Sequence, residues 1–218
     1  MKRQLAAAAA VTIGMIAASS GAVPGALAAS DADDKLAVEA LPVCYARGVD
    51  TIGQAVKAPT SQDLNSTAAL SDPKFKEALE HFRRCFAPDF AFTLSNRGVA
   101  GRTVPDPATR TPQTDAALQW ANYVNNAFRG PAYVYTQHHM GSIHSEISGD
   151  KGKVQSYLIA THVFGPASKR TGVSVVYGTY TDEVVKVKGR WMISKRTLDT
   201  ISSVPVGAPA VAPVPAAQ

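Results

Sequence analysis

The chain carries little of what usually signals a function. Cysteine occurs twice in 218 residues, 18% of the residues are charged, and no run of five or more like charges remains outside the N-terminus. The five histidines follow neither Cys-x-x-Cys, His-Glu-x-x-His nor two-His-one-carboxylate spacing, which argues against a metal centre. The serines and cysteines sit in no nucleophile motif, and no glycine-rich phosphate loop is present. No cofactor is therefore expected. Beyond the N-terminus no segment is long and apolar enough to span a bilayer. At 45% hydrophobic residues the sequence is nevertheless too apolar for a disordered chain, and it is too short for several large domains.

What is present begins at residue 1. Lys2 and Arg3 precede an apolar run from Leu5 to Ala18, and small residues follow, ending in Ala26-Leu27-Ala28. A basic start, a short apolar stretch and an A-x-A site describe a secretory signal peptide with cleavage after Ala28. A membrane anchor is the alternative, but Gly14, Ser19, Ser20, Gly21 and Pro24 interrupt the run. The expectation is an exported protein, periplasmic or secreted. Removing residues 1–28 takes away two basic residues and no acid, so 20 basic face 17 acidic residues and the formal charge falls from +5 to +3. The basic balance is then weak support for a nucleic-acid partner, and none is expected. Cys44 and Cys85 both lie in the mature part. They are a disulfide candidate in an oxidising compartment, and two buried free thiols are the alternative.

Residues 30–56 read as helix, with Leu41, Cys44, Tyr45, Gly48 and Ile52 on one stripe and Pro42 in the first turn. Residues 58–72 read as a loop. Asp72-Pro73 starts a second helix whose stripe is Phe75, Leu79, Phe82 and Phe86, ended by Pro88. Residues 90–94 alternate as a short strand, and a polar loop follows. Thr111-Pro112 starts a third helix through Leu118, Trp120, Val124 and Phe128, closed by Gly130. After Gly130 the period changes from 3.6 to 2, with strands expected over 133–147, 154–164, 173–186 and 191–201 joined by short Gly-containing turns. Helices first and a meander second make an α+β fold, helices packed on one face of a curved antiparallel sheet. The domain is expected over 29–203, between the signal peptide at 1–28 and a solvated Pro/Ala-rich tail at 204–218.

Three segments carry a family resemblance. Thr136-Gln137-His138-His139-Met140-Gly141-Ser142, the Gly149-Asp150 turn, and Gly178-Thr179-Tyr180-Thr181-Asp182 with Lys188-Gly189-Arg190-Trp191-Met192-Ile193-Ser194-Lys195-Arg196 resemble the SnoaL-like branch of the nuclear transport factor 2 superfamily. That branch includes scytalone dehydratase and hexachlorocyclohexane dehydrochlorinase. The resemblance implies a cone, a bent sheet wrapped around a cavity and closed by N-terminal helices. It also implies a carboxylate–histidine dyad that removes a proton beside a leaving group. Asp50 matches the carboxylate, His138 the histidine, His162 a second pocket histidine and Arg196 an arginine of the dehydrochlorinase. The pattern departs where scytalone dehydratase has two tyrosines; Val49 and Leu94 stand there. The dehydrochlorinase's helix lysine has no clear counterpart.

The residues themselves leave room for plainer readings. Asp50 lies at the margin of the helix stripe, where it is either a solvated acid or a cavity carboxylate. His138 and His139 point to opposite faces of a strand, so only one lines a cavity. His162 shares a face with Leu158, Ala160 and Phe164, where burial lowers an imidazole's pKa and keeps it neutral. Tyr45, Phe92, Trp120 and Tyr180 are the candidate substrate-binding residues. The expected partner is a small hydrophobic molecule, aromatic, terpenoid or steroid-like, and a homo-oligomer is in keeping with the family. The expected activity is a cofactor-free lyase (dehydratase) or isomerase using Asp50 and His138, with His162 or Arg196 stabilising the anion. The alternative is a binding or dimerising module without catalysis. A third reading, the small subunit of an aromatic-ring dioxygenase, conflicts with export.

Overall fold

Proline and aspartate set the helix boundaries. In a computed structural model that describes residues 29–55, 58–111 and 114–207, the helix expected over 30–56 is two helices, α1 (Ala29–Glu39) and α2 (Leu41–Gln54). Pro42 falls in the first turn of α2, where its missing N–H has no helical partner to lose. α3 (Pro73–Cys85) starts at Asp72, whose carboxylate accepts from the N–H groups of Lys74 and Phe75. Such a cap contributes about 1 kcal/mol. α4 (Ala116–Arg129) starts later than the Thr111-Pro112 pair suggests, because Asp115 caps it by accepting from Leu118 N–H. Pro112, the signal peptide and residues 208–218 lie outside the described residues.

Six strands form one sheet: β1 (Phe86–Asn96), β2 (Val99–Val104), β3 (Tyr133–Ser148), β4 (Lys151–Phe164), β5 (Val173–Val187) and β6 (Arg190–Val206), in the order β2-β1-β6-β5-β4-β3. Every pair is antiparallel except β1 with β6, which run parallel. These two strands are joined through most of the domain, so no hairpin dictates their relative direction. Phe86 opens β1 instead of closing the α3 stripe. The residue before Pro88 is held extended, and Phe86 stacks on Phe90 at 3.9 Å. β2 replaces part of the expected polar loop. It is an edge strand exposed at five of its six positions, so no apolar alternation marks it. At the other end, Val204, Pro205 and Val206 pair with Val175, Ser174 and Val173, so the tail expected from residue 204 begins as strand. Pairing of β6 with β1 ends at Thr200, and on the free edge beyond it Pro205 costs no ladder bond to a third strand.

The helices lie against one face of this sheet, and two glycines set how closely α2 approaches its neighbours. A Cβ at Gly48 would stand 2.7 Å from the Phe82 ring of α3, and one at Gly53 would stand 2.3 Å from Thr136 Oγ1 of β3. The segment 58–72 is tied down by α4. Asn122 donates to the carbonyls of Leu64 and Ser66, and Asn125 donates to that of Pro59.

Cys44 and Cys85 form a disulfide between α2 and the end of α3, with Cα atoms 5.9 Å apart across a sequence separation of 41. A loop of that length constrains the unfolded chain by about 4 kcal/mol. Urea unfolding with and without reductant should differ by about that amount. An unchanged midpoint would show that the helices hold their places without the bond.

Candidate active site

Because Gly53 lets α2 lie close on β3, the carboxylate of Asp50 reaches the strand one turn earlier. Oδ2 accepts from the backbone N–H of His138 at 3.0 Å, and Oδ1 accepts from Thr136 Oγ1 at 3.3 Å and bonds His138 Nδ1 at 2.7 Å. A carboxylate only accepts, so Nδ1 carries the proton and Nε2 presents its lone pair. The His138 side chain is 6% exposed and that of Asp50 22%, so Asp50 is not a freely solvated acid. His139, one residue on, is exposed on the other face of β3. Thr136 is a member of this arrangement that sequence reasoning assigned no role. Its signal was the alternation that puts residues 136 and 138 on the same face of a strand.

His138 lines a cavity of about 200 Å³. Tyr45, Phe92, Trp120, Tyr180 and His162 line it too, as do Val49 and Leu94. All four candidate binding residues therefore meet one space. Phe92 and Trp120 stack at 3.9 Å and form an aromatic wall. The ring of His162 lies 5.6 Å from that of His138 and is wedged against Tyr133 at 4.8 Å and Phe128 at 5.5 Å. Burial among these rings, and after it the neighbouring His138, lowers the pKa of His162 to about 4.

Arg196 is brought near the cavity but does not line it. It is fully buried, with Nε and Nη2 donating to the two carboxylate oxygens of Asp182 at 2.6 and 2.5 Å. Its guanidinium carbon sits 4.2 Å from the ring centre of Tyr45 and 4.5 Å from that of Tyr180. Burial alone would lower the Arg196 pKa; Asp182 more than offsets this and raises it. Asp182 is the residue that sequence reasoning quoted in a motif and left without a role. Its signal was register, since it faces Arg196 across the β5–β6 pair.

The SnoaL-like domain family matches residues 70–197. The chain is a SnoaL-like protein. The matched segment holds His138, His162, Asp182 and Arg196, while Asp50 and Tyr45 precede it. In three dimensions the SnoaL-like protein is similar to a candidate scytalone dehydratase from Novosphingobium aromaticivorans, with TM-score 0.53 and 18% identity over 87% of this chain and 98% of that one. It is also similar to a type 3 hexachlorocyclohexane dehydrochlorinase from Novosphingobium barchaimii, with TM-score 0.53 and 16% identity over 84% and 97%. A protein from Kribbella flavida gives TM-score 0.54 at 17% identity over 80% and 95%. At these identities the likeness is one of fold, a cone of curved sheet closed by N-terminal helices. No curated protein sequence matches the chain.

The lowered pKa of His162 has a consequence for stability. An unfolded histidine titrates near 6.5 and the folded one near 4, so between these values the unfolded chain binds more protons. Stability should fall as pH drops through that window, by up to about 3 kcal/mol, and His162→Phe should flatten the slope. Urea unfolding at a series of pH values reads this directly. A slope identical in the variant would show that the loss belongs to other groups.

Proposed function

We propose that this chain is an exported, cofactor-free lyase or isomerase that removes a proton from carbon in a small, largely apolar, single-ring molecule. One observation carries the reading: His138 is bonded through Nδ1 to Asp50 and lines a largely apolar cavity. Nε2 takes the proton from the substrate carbon. Asp50 holds the ring in one tautomer and stabilises the imidazolium that forms, as an orienting carboxylate does in other histidine-based sites. The apolar lining keeps water from competing for the proton and strengthens the electrostatics inside. His162 stays neutral at the operating pH because of its burial. Scytalone dehydratase and hexachlorocyclohexane dehydrochlorinase are named for eliminations, which start from such a proton removal.

The size of the cavity narrows the ligand. A cavity of about 150 Å³ is enough to hold benzene in an engineered protein. At about 200 Å³ this one holds a single substituted ring, aromatic or alicyclic. A binding module without turnover would share the cavity, but it gives no reason for a carboxylate to fix one histidine tautomer at its wall.

Deuterium exchange tests the base. In heavy water the protein should exchange the acidic C–H of small cyclic ketones, followed by proton NMR, and His138→Ala or Asp50→Asn should slow that exchange by about 100-fold or more. An undiminished rate in His138→Ala would sink the mechanism. Export is supported by the N-terminal pattern and by the disulfide. Intact mass of the protein recovered from the periplasm of a Gram-negative host should give a chain beginning at Ala29, and a chain beginning at Met1 would remove this part of the reading.

A further inference from the structure

Among the described residues no lysine or arginine lines the cavity, and Arg196 faces Asp182 instead. One aromatic wall of the cavity nevertheless leads outward to a cation. Phe92 stacks on Trp120 at 3.9 Å and Trp120 on Tyr123 at 5.3 Å, and the guanidinium carbon of Arg102 stands 5.4 Å from the centre of the Tyr123 ring. Along this row exposure rises from 0% at Phe92 and 2% at Trp120 to a half-buried Tyr123 and an exposed Arg102. All three rings line the cavity, so the row ends at its mouth, where Leu94 and Leu198 are also half-buried.

Strand register directs Arg102 to this place. Thr93 and Thr103 pair across β1 and β2 with their hydroxyls 3.1 Å apart, on one face of the two strands. The next residue of each strand toward the turn, Leu94 and Arg102, points to the other face, which for Leu94 is the cavity wall. Among the described residues Arg102 has neither an ion pair nor a hydrogen bond, whereas Arg83 is paired with Glu80 and Asp115. The indole N–H of Trp120 is buried and also without a partner among them. Both groups only donate, so what this wall lacks is an acceptor, and Arg102 favours a negatively charged one. Tyr123 does not supply that charge, because burial raises its pKa and keeps the phenol neutral.

We propose that Arg102 binds a carboxylate of the ligand at the mouth of the cavity while the ligand's ring lies inside against Phe92 and Trp120. The substrate class is then a single-ring carboxylate; that the ligand is a substrate rests on His138 acting as the base. A carboxylate is planar and singly charged, so it takes two N–H groups of one guanidinium side by side. A phosphate dianion would leave a charge uncompensated there. The apolar interior offers a carboxylate nothing in return for its lost hydration, so the uncharged end of the ring enters first.

Benzoate and benzamide test this without a known substrate, since both are one ring wide and they differ in charge. Calorimetric titration of the full protein should show benzoate bound at one site per chain, about tenfold more tightly than benzamide, and benzamide should displace it. Added salt should weaken benzoate and leave benzamide unchanged. Arg102 is exposed, so Arg102→Gln leaves the packing intact; benzoate should weaken about tenfold in it while benzamide binds as before. Equal affinity of the unaltered protein for the two probes would overturn the assignment, as would benzoate affinity unchanged in Arg102→Gln, an equal loss for both probes, or no binding of either. His138→Ala keeps this inference apart from the one it rests on. Deuterium exchange undiminished by His138→Ala would remove the base, and a benzoate preference lost in Arg102→Gln would still establish the anion site. A preference that survives Arg102→Gln removes the anion site and leaves the base.

Discussion

The approach of helix α2 to strand β3 decides whether this protein has a site at all. The Asp50 carboxylate is the joint, since it takes three hydrogen bonds from two residues of β3 and thereby fixes both the strand position and the ring of His138. The approach is steric before it is polar. Gly53 leaves no Cβ to strike Thr136, and Gly48 leaves none to strike Phe82, so α2 is pressed between α3 and the sheet. The disulfide from Cys44 pins the same helix to the end of α3. Between Cys44 and Gly53, a few turns of one helix carry the covalent tie, a cavity tyrosine, the orienting carboxylate and the two gaps that let them reach their places.

Beneath the cavity floor the structure keeps a wholly buried ion pair, Arg196 with Asp182. Such a pair is no argument for stability, because removing two charges from water costs about what their attraction returns. Its contribution is geometric. A planar guanidinium held by a bidentate carboxylate cannot rotate, and the faces of Tyr45 and Tyr180 rest on it, so both rings are fixed relative to His138. A hydrophobic residue of similar volume would fill the space and leave the hydroxyls without that constraint.

Much of this was legible in the sequence, and the parts that were not have a common cause. The change of period after Gly130 gave the four long strands, and the stripes of α2, α3 and α4 gave the faces they bury. The resemblance picked out Asp50 and His138, but whether they touch depends on the closeness of α2 and β3, which two glycines control. Arg196 was legible as a family position while its partner was not. Asp182 meets Arg196 through the register of the β5–β6 pair, which carries an irregularity between Glu183 and Val184, and a shift of one residue would turn the side chain to the other face. β2 escaped notice because an exposed edge strand has no buried face to impose a pattern.

The two cavity histidines show how one scaffold separates nearly identical groups. Their rings are 5.6 Å apart, too close for both to carry a proton comfortably in an apolar enclosure. His138 has the Asp50 carboxylate within hydrogen-bonding distance, so a proton arriving at Nε2 meets a compensating charge. His162 has aromatic neighbours and, among the described residues, an unpartnered Nδ1, and its pKa near 4 keeps it neutral at neutral pH. Environments that push two titratable groups apart are how a site assigns acid and base roles. What tells the two cavity histidines apart is that His138 has a carboxylate at its back and His162 has none.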